Sequence, residues 1–259
     1  MPAESYDTIK KDIIKGKIAP LYFFYGDEHF FIDDLAELTE QHVLKPGEEA
    51  FNKTVFYGRD ADARQIVDQV RRFPMMAERQ LVILKEAQSL KDFDALDVLY
   101  KKPVPTTVFV VLYKKEKMDK RFKVFKSVAA NAVVVESKPL YENQVPVWLN
   151  KYMKERKVKL SPRAIQLLVE YLGTDLSKLT NAVNKLIIHG KDGEVSDALV
   201  EDTIGISRSY NVFELHESIG EKNVAKTLKI AGLMGADLKN NPLPMVIPSI
   251  FNYDSKLYM

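Results

Sequence analysis

Five short apolar runs in the first half of the chain constrain its fold more than any other feature. Leu21-Tyr-Phe-Phe-Tyr25 is closed by Gly26, and Thr54-Val-Phe-Tyr57 by Gly58. Leu81-Val-Ile-Leu84, Thr107-Val-Phe-Val-Val-Leu112 and Ala132-Val-Val-Val135 follow. Each is continuous, and each is rich in β-branched and aromatic residues. A strand with one wet face would alternate apolar and polar side chains. A continuous run fits a strand buried on both faces, as in a parallel sheet covered by helices. Helical spacing fills the gaps: Phe31, Leu35 and Leu38; then Ala63, Ile66, Val70 and Phe73; then Leu90, Phe93 and Leu96 to Val98; then Phe122, Phe125 and Val128. Strands alternating with helices predict an open, doubly wound α/β domain over residues 1–139.

Near Pro139 the strand signals stop. Val145, Trp148, Leu149 and Tyr152 form a helical stripe. Ser161-Pro162 pairs an N-cap with a first-turn proline, and that helix is expected to reach Gly173. Thr174 or Asp175 caps the next, whose apolar side carries Leu176, Leu179, Val183 and Leu186 to Ile188. Ser196, after the turn Gly190-Lys-Asp-Gly193, can cap another. These make a small helical domain over 140–209. A third helical segment, 210–259, holds Val212 to Ile219 and Val224 to Met234, with one more helix expected past Pro248. The length of 259 residues suits such a division. No apolar run approaches the roughly 18 residues of a membrane span, so no membrane is expected. The first ten residues have no apolar core of a secretory signal, and a cytoplasmic location is expected. Asn52-Lys53-Thr54 then reads as a chance glycosylation match.

The residue inventory narrows the chemistry. The chain has no cysteine, which excludes thiol catalysis, zinc ribbons and disulfides. His29, His42, His189 and His216 lack a second ligand at metal-binding spacing, and read as surface or half-buried imidazoles. Asp33 and Asp34 are neighbours on one helix, read as a solvated face. Gly232-Leu-Met-Gly235 lies within an apolar helix and reads as packing. No catalytic set, metal site or cofactor is assigned. A net charge of +2 is small for a protein that grips DNA alone, so only a local patch could do so.

The turn Tyr25-Gly-Asp-Glu-His-Phe-Phe31 stands where nucleotide-binding α/β proteins place a phosphate loop. It has one glycine, no Gly-Lys-Ser/Thr, and two carboxylates, Asp27 and Glu28, that suit a helix N-terminus and repel phosphate. The run Leu81–Leu84 leads into Lys85-Glu86, a cation where a metal-binding aspartate would be needed.

The chain resembles the delta subunit of bacterial DNA polymerase III. The resemblance is carried by Pro20-Leu-Tyr-Phe-Phe-Tyr-Gly-Asp-Glu28, Arg72-Phe-Pro-Met-Met-Ala-Glu-Arg-Gln-Leu-Val-Ile-Leu84, Met118-Asp-Lys-Arg-Phe-Lys123 and Leu172-Gly-Thr-Asp-Leu-Ser-Lys-Leu179. It implies an AAA+-like parallel-sheet domain without a working nucleotide site (1–139), a helical lid (140–209) and a helical collar (210–259), here expected to be C-terminally incomplete. It implies a clamp-loader subunit that binds and opens the sliding clamp, the beta subunit, in DNA replication, alongside the loader's ATPase subunits. Such a subunit is no enzyme by itself, although it belongs to a DNA-directed DNA polymerase, a nucleotidyltransferase. The alternative is a degenerate AAA+ nucleotide-dependent switch ATPase. In the family the clamp contact is a hydrophobic pair after the second helix of the first domain. Met75 and Met76 occupy that place, with Phe73 beside them.

The residues also locate that turn. Pro74 disfavours helix at Phe73, so the helix over Ala61 to Phe73 is expected to end there. Met75 and Met76 then sit in a turn before Ala77-Glu-Arg-Gln80. They are either core, folded back onto the sheet, or an apolar contact for a partner; methionine's flexible thioether suits both. The basic stretch Lys114-Lys-Glu-Lys-Met-Asp-Lys-Arg-Phe-Lys123 is either a solvated face or a weak DNA contact.

Overall fold

The computed structural model describes residues 4–117, 122–189, 194–195, 197–203, 212–236, 238 and 241–257. The chain forms two compact units, Met1–Tyr141 and Glu142–Met259. In the first, the strands are β1 (Leu21–Gly26), β2 (Lys53–Tyr57), β3 (Gln80–Lys85), β4 (Thr107–Tyr113) and β5 (Val133–Ser137). They form one parallel sheet in the order β2-β3-β4-β1-β5. The helices are α1 (Tyr6–Ile14), α2 (His29–Val43), α3 (Glu49–Asn52), α4 (Ala63–Val70), α5 (Asp97–Lys101) and α6 (Val124–Asn131).

Both faces of the sheet are buried, which explains the continuous apolar runs. Leu21, Phe23, Val82, Leu84, Phe109 and Val111 face a cluster that includes Ile66, Phe93 and Phe125. Their strand neighbours Tyr22, Phe24, Leu81, Ile83, Val108 and Val110 face Ile9, Ile13, Ile32 and Leu35 of α1 and α2. Period-two alternation is present, but it alternates between two cores.

Several local expectations are corrected. The helix expected around Leu90, Phe93 and Leu96 is two 3₁₀ turns, Ala87–Ser89 and Phe93–Leu96, followed by α5. Those three buried residues are spaced by three, the 3₁₀ period rather than 3.6. Asp33 and Asp34 are not merely a solvated face. Asp33 pairs with Lys114 at 2.9 Å, and Asp34 accepts from the Tyr6 hydroxyl at 2.5 Å with Lys10 at 3.7 Å, tying α1 to α2.

The second unit is helical: α7 (Val145–Glu155), α8 (Pro162–Leu172), α9 (Leu176–His189), α10 (Asp197–Thr203), α11 (Val212–Gly220), α12 (Val224–Ala236) and α13 (Leu243–Leu257). A two-residue parallel pair joins β6 (Lys159–Leu160) to β7 (Glu194–Val195). Ser161 caps α8 by accepting from Ala164 N–H at 3.0 Å, and Gly173 ends the helix at φ 68°. Of the two candidates for the next cap, Asp175 accepts from Lys178 N–H at 3.0 Å. The expected Ser196 cap lies outside the described residues, as does the turn Gly190–Gly193. The last helix starts before Pro248, which sits inside it, and not after it. One side of α13 packs Val246 and Ile250 against Leu215, Ile230 and Met234; Met245 and Phe251 stay exposed. Within the tetrapeptide Gly232–Gly235, Met234 packs, but a Cβ added at either glycine would meet nothing within 4 Å. Among the described residues no helix is long and apolar enough to cross a membrane, and no cluster of three His, Asp or Glu could hold a metal ion.

Candidate protein-docking site

The segment from α4 to β3 carries the three apolar residues singled out above, and all three point into solvent. Phe73 is 85% exposed, Met75 62%, and Met76 fully. They are not core. The expected helical stripe ends at Val70 and does not include Phe73, because α4 stops three residues earlier than the periodicity suggested. Pro74 has no N–H to bond the Val70 carbonyl, so the ladder cannot continue. That carbonyl instead accepts from Thr107 Oγ1 at 2.8 Å.

Two buried amides, both missed in the sequence reading, hold this segment at its roots. Gln80 is 3% exposed, and its Nε2 donates to the Arg72 carbonyl at 2.5 Å and to Thr107 Oγ1 at 2.9 Å. Asn52 is 4% exposed; its Oδ1 accepts from Met75 N–H at 2.7 Å, and its Nδ2 donates to the Met75 carbonyl at 2.9 Å. The Asn52 amide is buried and engaged, in keeping with the reading of Asn52-Lys53-Thr54 as a chance match. The only advance signal was a polar residue beside each of two apolar strand runs. Met76 follows in the left-handed region at φ 53°, a conformation that disfavours a side chain by about 1–2 kcal/mol. The turn is thus held in shape by hydrogen bonds to its backbone while its side chains face outward.

The first strand-to-helix turn is closed by the protein itself. Asp27 N–H donates to the Ser137 carbonyl at 3.1 Å, with Glu28 N–H at 3.5 Å from the same oxygen. Glu28 Oε1 caps α2 by accepting from Phe30 N–H at 3.1 Å, and Ser137 Oγ donates to the Glu28 carbonyl at 2.6 Å. Gly26, at φ 136°, is required by this closure: a Cβ there would lie 1.8 Å from the Ser137 oxygen. Burial, with Glu136 adding to it, pushes the Tyr25 phenol above its ordinary value.

The sequence model of the family "DNA polymerase III, delta subunit" matches residues 22–138, which span the sheet and this turn. Bacillus subtilis DNA polymerase III subunit delta is 26% identical over 260 aligned residues, covering 96% of this chain and 74% of the relative. The chain is similar to the DNA polymerase III delta-subunit family, over residues 22–138 in the family model and along nearly all of its length in this relative. A solved structure, the Bacillus subtilis DNA clamp loader delta protein, superposes with a TM-score of 0.66 at 26% identity, over 95% of this chain and 76% of that one. Probable DNA polymerase III subunit delta of Aquifex aeolicus is 23% identical over 92% of this chain and 69% of the relative. The chain therefore shares its fold with a solved relative over nearly all of its length.

Of the basic stretch, Met118 to Arg121 lie outside the described residues. Lys114 is engaged with Asp33, and Lys117 lies 3.3 Å from Glu116. His29 and His42 are exposed and His216 half-buried, while the His189 side chain lies outside the described residues.

Proposed function

We propose that this chain is the clamp-loader subunit that binds the sliding clamp through Phe73, Met75 and Met76 and opens it, or holds it open, during DNA replication, without hydrolysing ATP itself. One observation carries the reading: two adjacent methionines and a phenylalanine stand in solvent on a turn whose backbone is fastened by buried amides. Apolar side chains held rigidly in water lower the ordering cost of docking into an apolar pocket. The family and the named clamp-loader relative supply the partner.

The non-ATPase part rests on the first turn. The N–H groups that would cradle a phosphate at the start of α2 are already bonded to Ser137 and Glu28, and Asp27 and Glu28 add negative charge. This weighs against the switch-ATPase reading. Polymerisation would belong to other subunits of the holoenzyme, and nucleotide-driven timing to the loader's ATPase subunits. Direct DNA contact by Lys114 to Lys123 has less support, since Lys114 already pairs with Asp33. The second unit is divided, on this reading, into lid (140–209) and collar (210–259).

A clamp ring carrying a self-quenching fluorophore pair across one interface tests the proposal. Adding the chain without nucleotide should raise fluorescence. Tight binding with no change in signal would reduce the subunit to a tether; no binding would overturn the reading.

A further inference from the structure

We propose that Asn52 is a positioning residue for docking: it aims Met75 and Met76 at the partner by fixing the backbone between them. The inference rests on the docking reading above and names a residue outside the apolar contact that controls it.

Asn52 ends the one-turn helix α3 and sits directly before β2. Both of its amide hydrogens and its oxygen are engaged. Oδ1 accepts from Met75 N–H at 2.7 Å, while Nδ2 donates to the Met75 carbonyl at 2.9 Å and to the Glu48 carbonyl at 3.2 Å. A flipped amide would set its NH₂ against the Met75 N–H and its oxygen against two carbonyls, so only one orientation fits. Residues 73–79 are otherwise tied by the Lys45–Glu78 ion pair at 3.6 Å, with both side chains mostly exposed, and by the charge of Arg79 acting on the Tyr22 hydroxyl. Pro74 contributes no N–H. A bidentate grip on one peptide residue therefore sets the direction of a solvent-exposed segment, immediately before Met76 takes its left-handed conformation. Strain kept by surrounding contacts next to an exposed apolar pair is the pattern of a preorganised contact.

The test combines Asn52→Ala with Met75→Ala/Met76→Ala in a double-mutant cycle, read as affinity for the cognate sliding clamp, with amide exchange at Met75 in the free chain. Asn52→Ala should lower affinity by roughly tenfold through lost preorganisation and speed exchange of the Met75 amide. Asn52→Asp keeps the acceptor for Met75 N–H but sets a carboxylate oxygen against the Met75 and Glu48 carbonyls, and should lose at least as much affinity as Asn52→Ala. If Asn52 acts through the methionines, Asn52→Ala in the background lacking both should change affinity by less than about twofold, the mark of coupled sites. A general loss of fold would instead weaken binding in either background. Parent-like affinity in Asn52→Ala, or losses that multiply in full, overturns the positioning role while leaving the docking site intact. Parent-like affinity in Met75→Ala/Met76→Ala overturns the docking reading and this inference with it. Should Asn52→Ala fail to fold, Asn52→Ser, neutral and still able to hydrogen-bond, carries the same cycle.

Discussion

Replacing Met75 and Met76 together by alanine separates an interaction surface from a core. The two side chains are 62% exposed and fully exposed, so the folded chain loses almost no buried area when they are truncated. Each exposed substitution should change stability by no more than about 0.5 kcal/mol. Had the methionines been core, each truncation would cost about 2–5 kcal/mol. In a complex the balance reverses. Fully burying a methionine contributes about 1.5–3 kcal/mol. Scaling by the area each can still bury gives about 2.5–5 kcal/mol for the pair. At about 1.4 kcal/mol per decade, clamp affinity should fall roughly 60-fold or more. Thermal midpoint and clamp affinity are to be measured on the same preparation, by calorimetry and by titration of a labelled ring. The expected result is an unchanged midpoint with weakened binding. A midpoint drop of many degrees with undiminished affinity of the folded fraction would refute the reasoning and place the contact elsewhere.

Three further outcomes are expected. Gly26→Ala should destabilise the first unit by several kcal/mol, about the scale for severe backbone strain, because its Cβ would stand 1.8 Å from the Ser137 oxygen; a midpoint within error of the parent would contradict this. Calorimetry with ATP and magnesium should give no saturable heat, whereas a micromolar dissociation constant would sink the reading of the closed turn. His216 stacks on Tyr253 at 4.5 Å, and burial lowers its pKa from 6.5 despite a bond to Ser249. The unfolded chain then binds the proton more readily. The stability from the neutral ring is full above its ordinary value and declines as pH falls below it. His216→Phe should flatten that slope in urea titrations between neutral and mildly acid pH, and an unchanged slope would show that His216 does not set it.

The sequence determined by itself what depends on near neighbours in the chain. Continuous β-branched and aromatic runs dictated buried parallel strands, because no strand with a wet face could carry Phe23 beside Phe24 or Val110 beside Val111. Ser161-Pro162 and Gly173 fixed the ends of α8 through local backbone chemistry. Pro74 ensured a break before Met75. Only the tertiary structure decided the rest. The partner that satisfies the Val70 carbonyl at the end of α4 is a hydroxyl from β4, and the need for Gly26 depends on the approach of Ser137 from β5. Whether Met75 and Met76 face core or water was open in the sequence, since methionine is at home in both. The answer came from Asn52, 23 positions earlier, whose side chain grips the backbone of Met75 and leaves the thioethers outside. Hydrogen bonds between residues distant in sequence leave no periodicity to read, and they exist only once the sheet has brought the segments together.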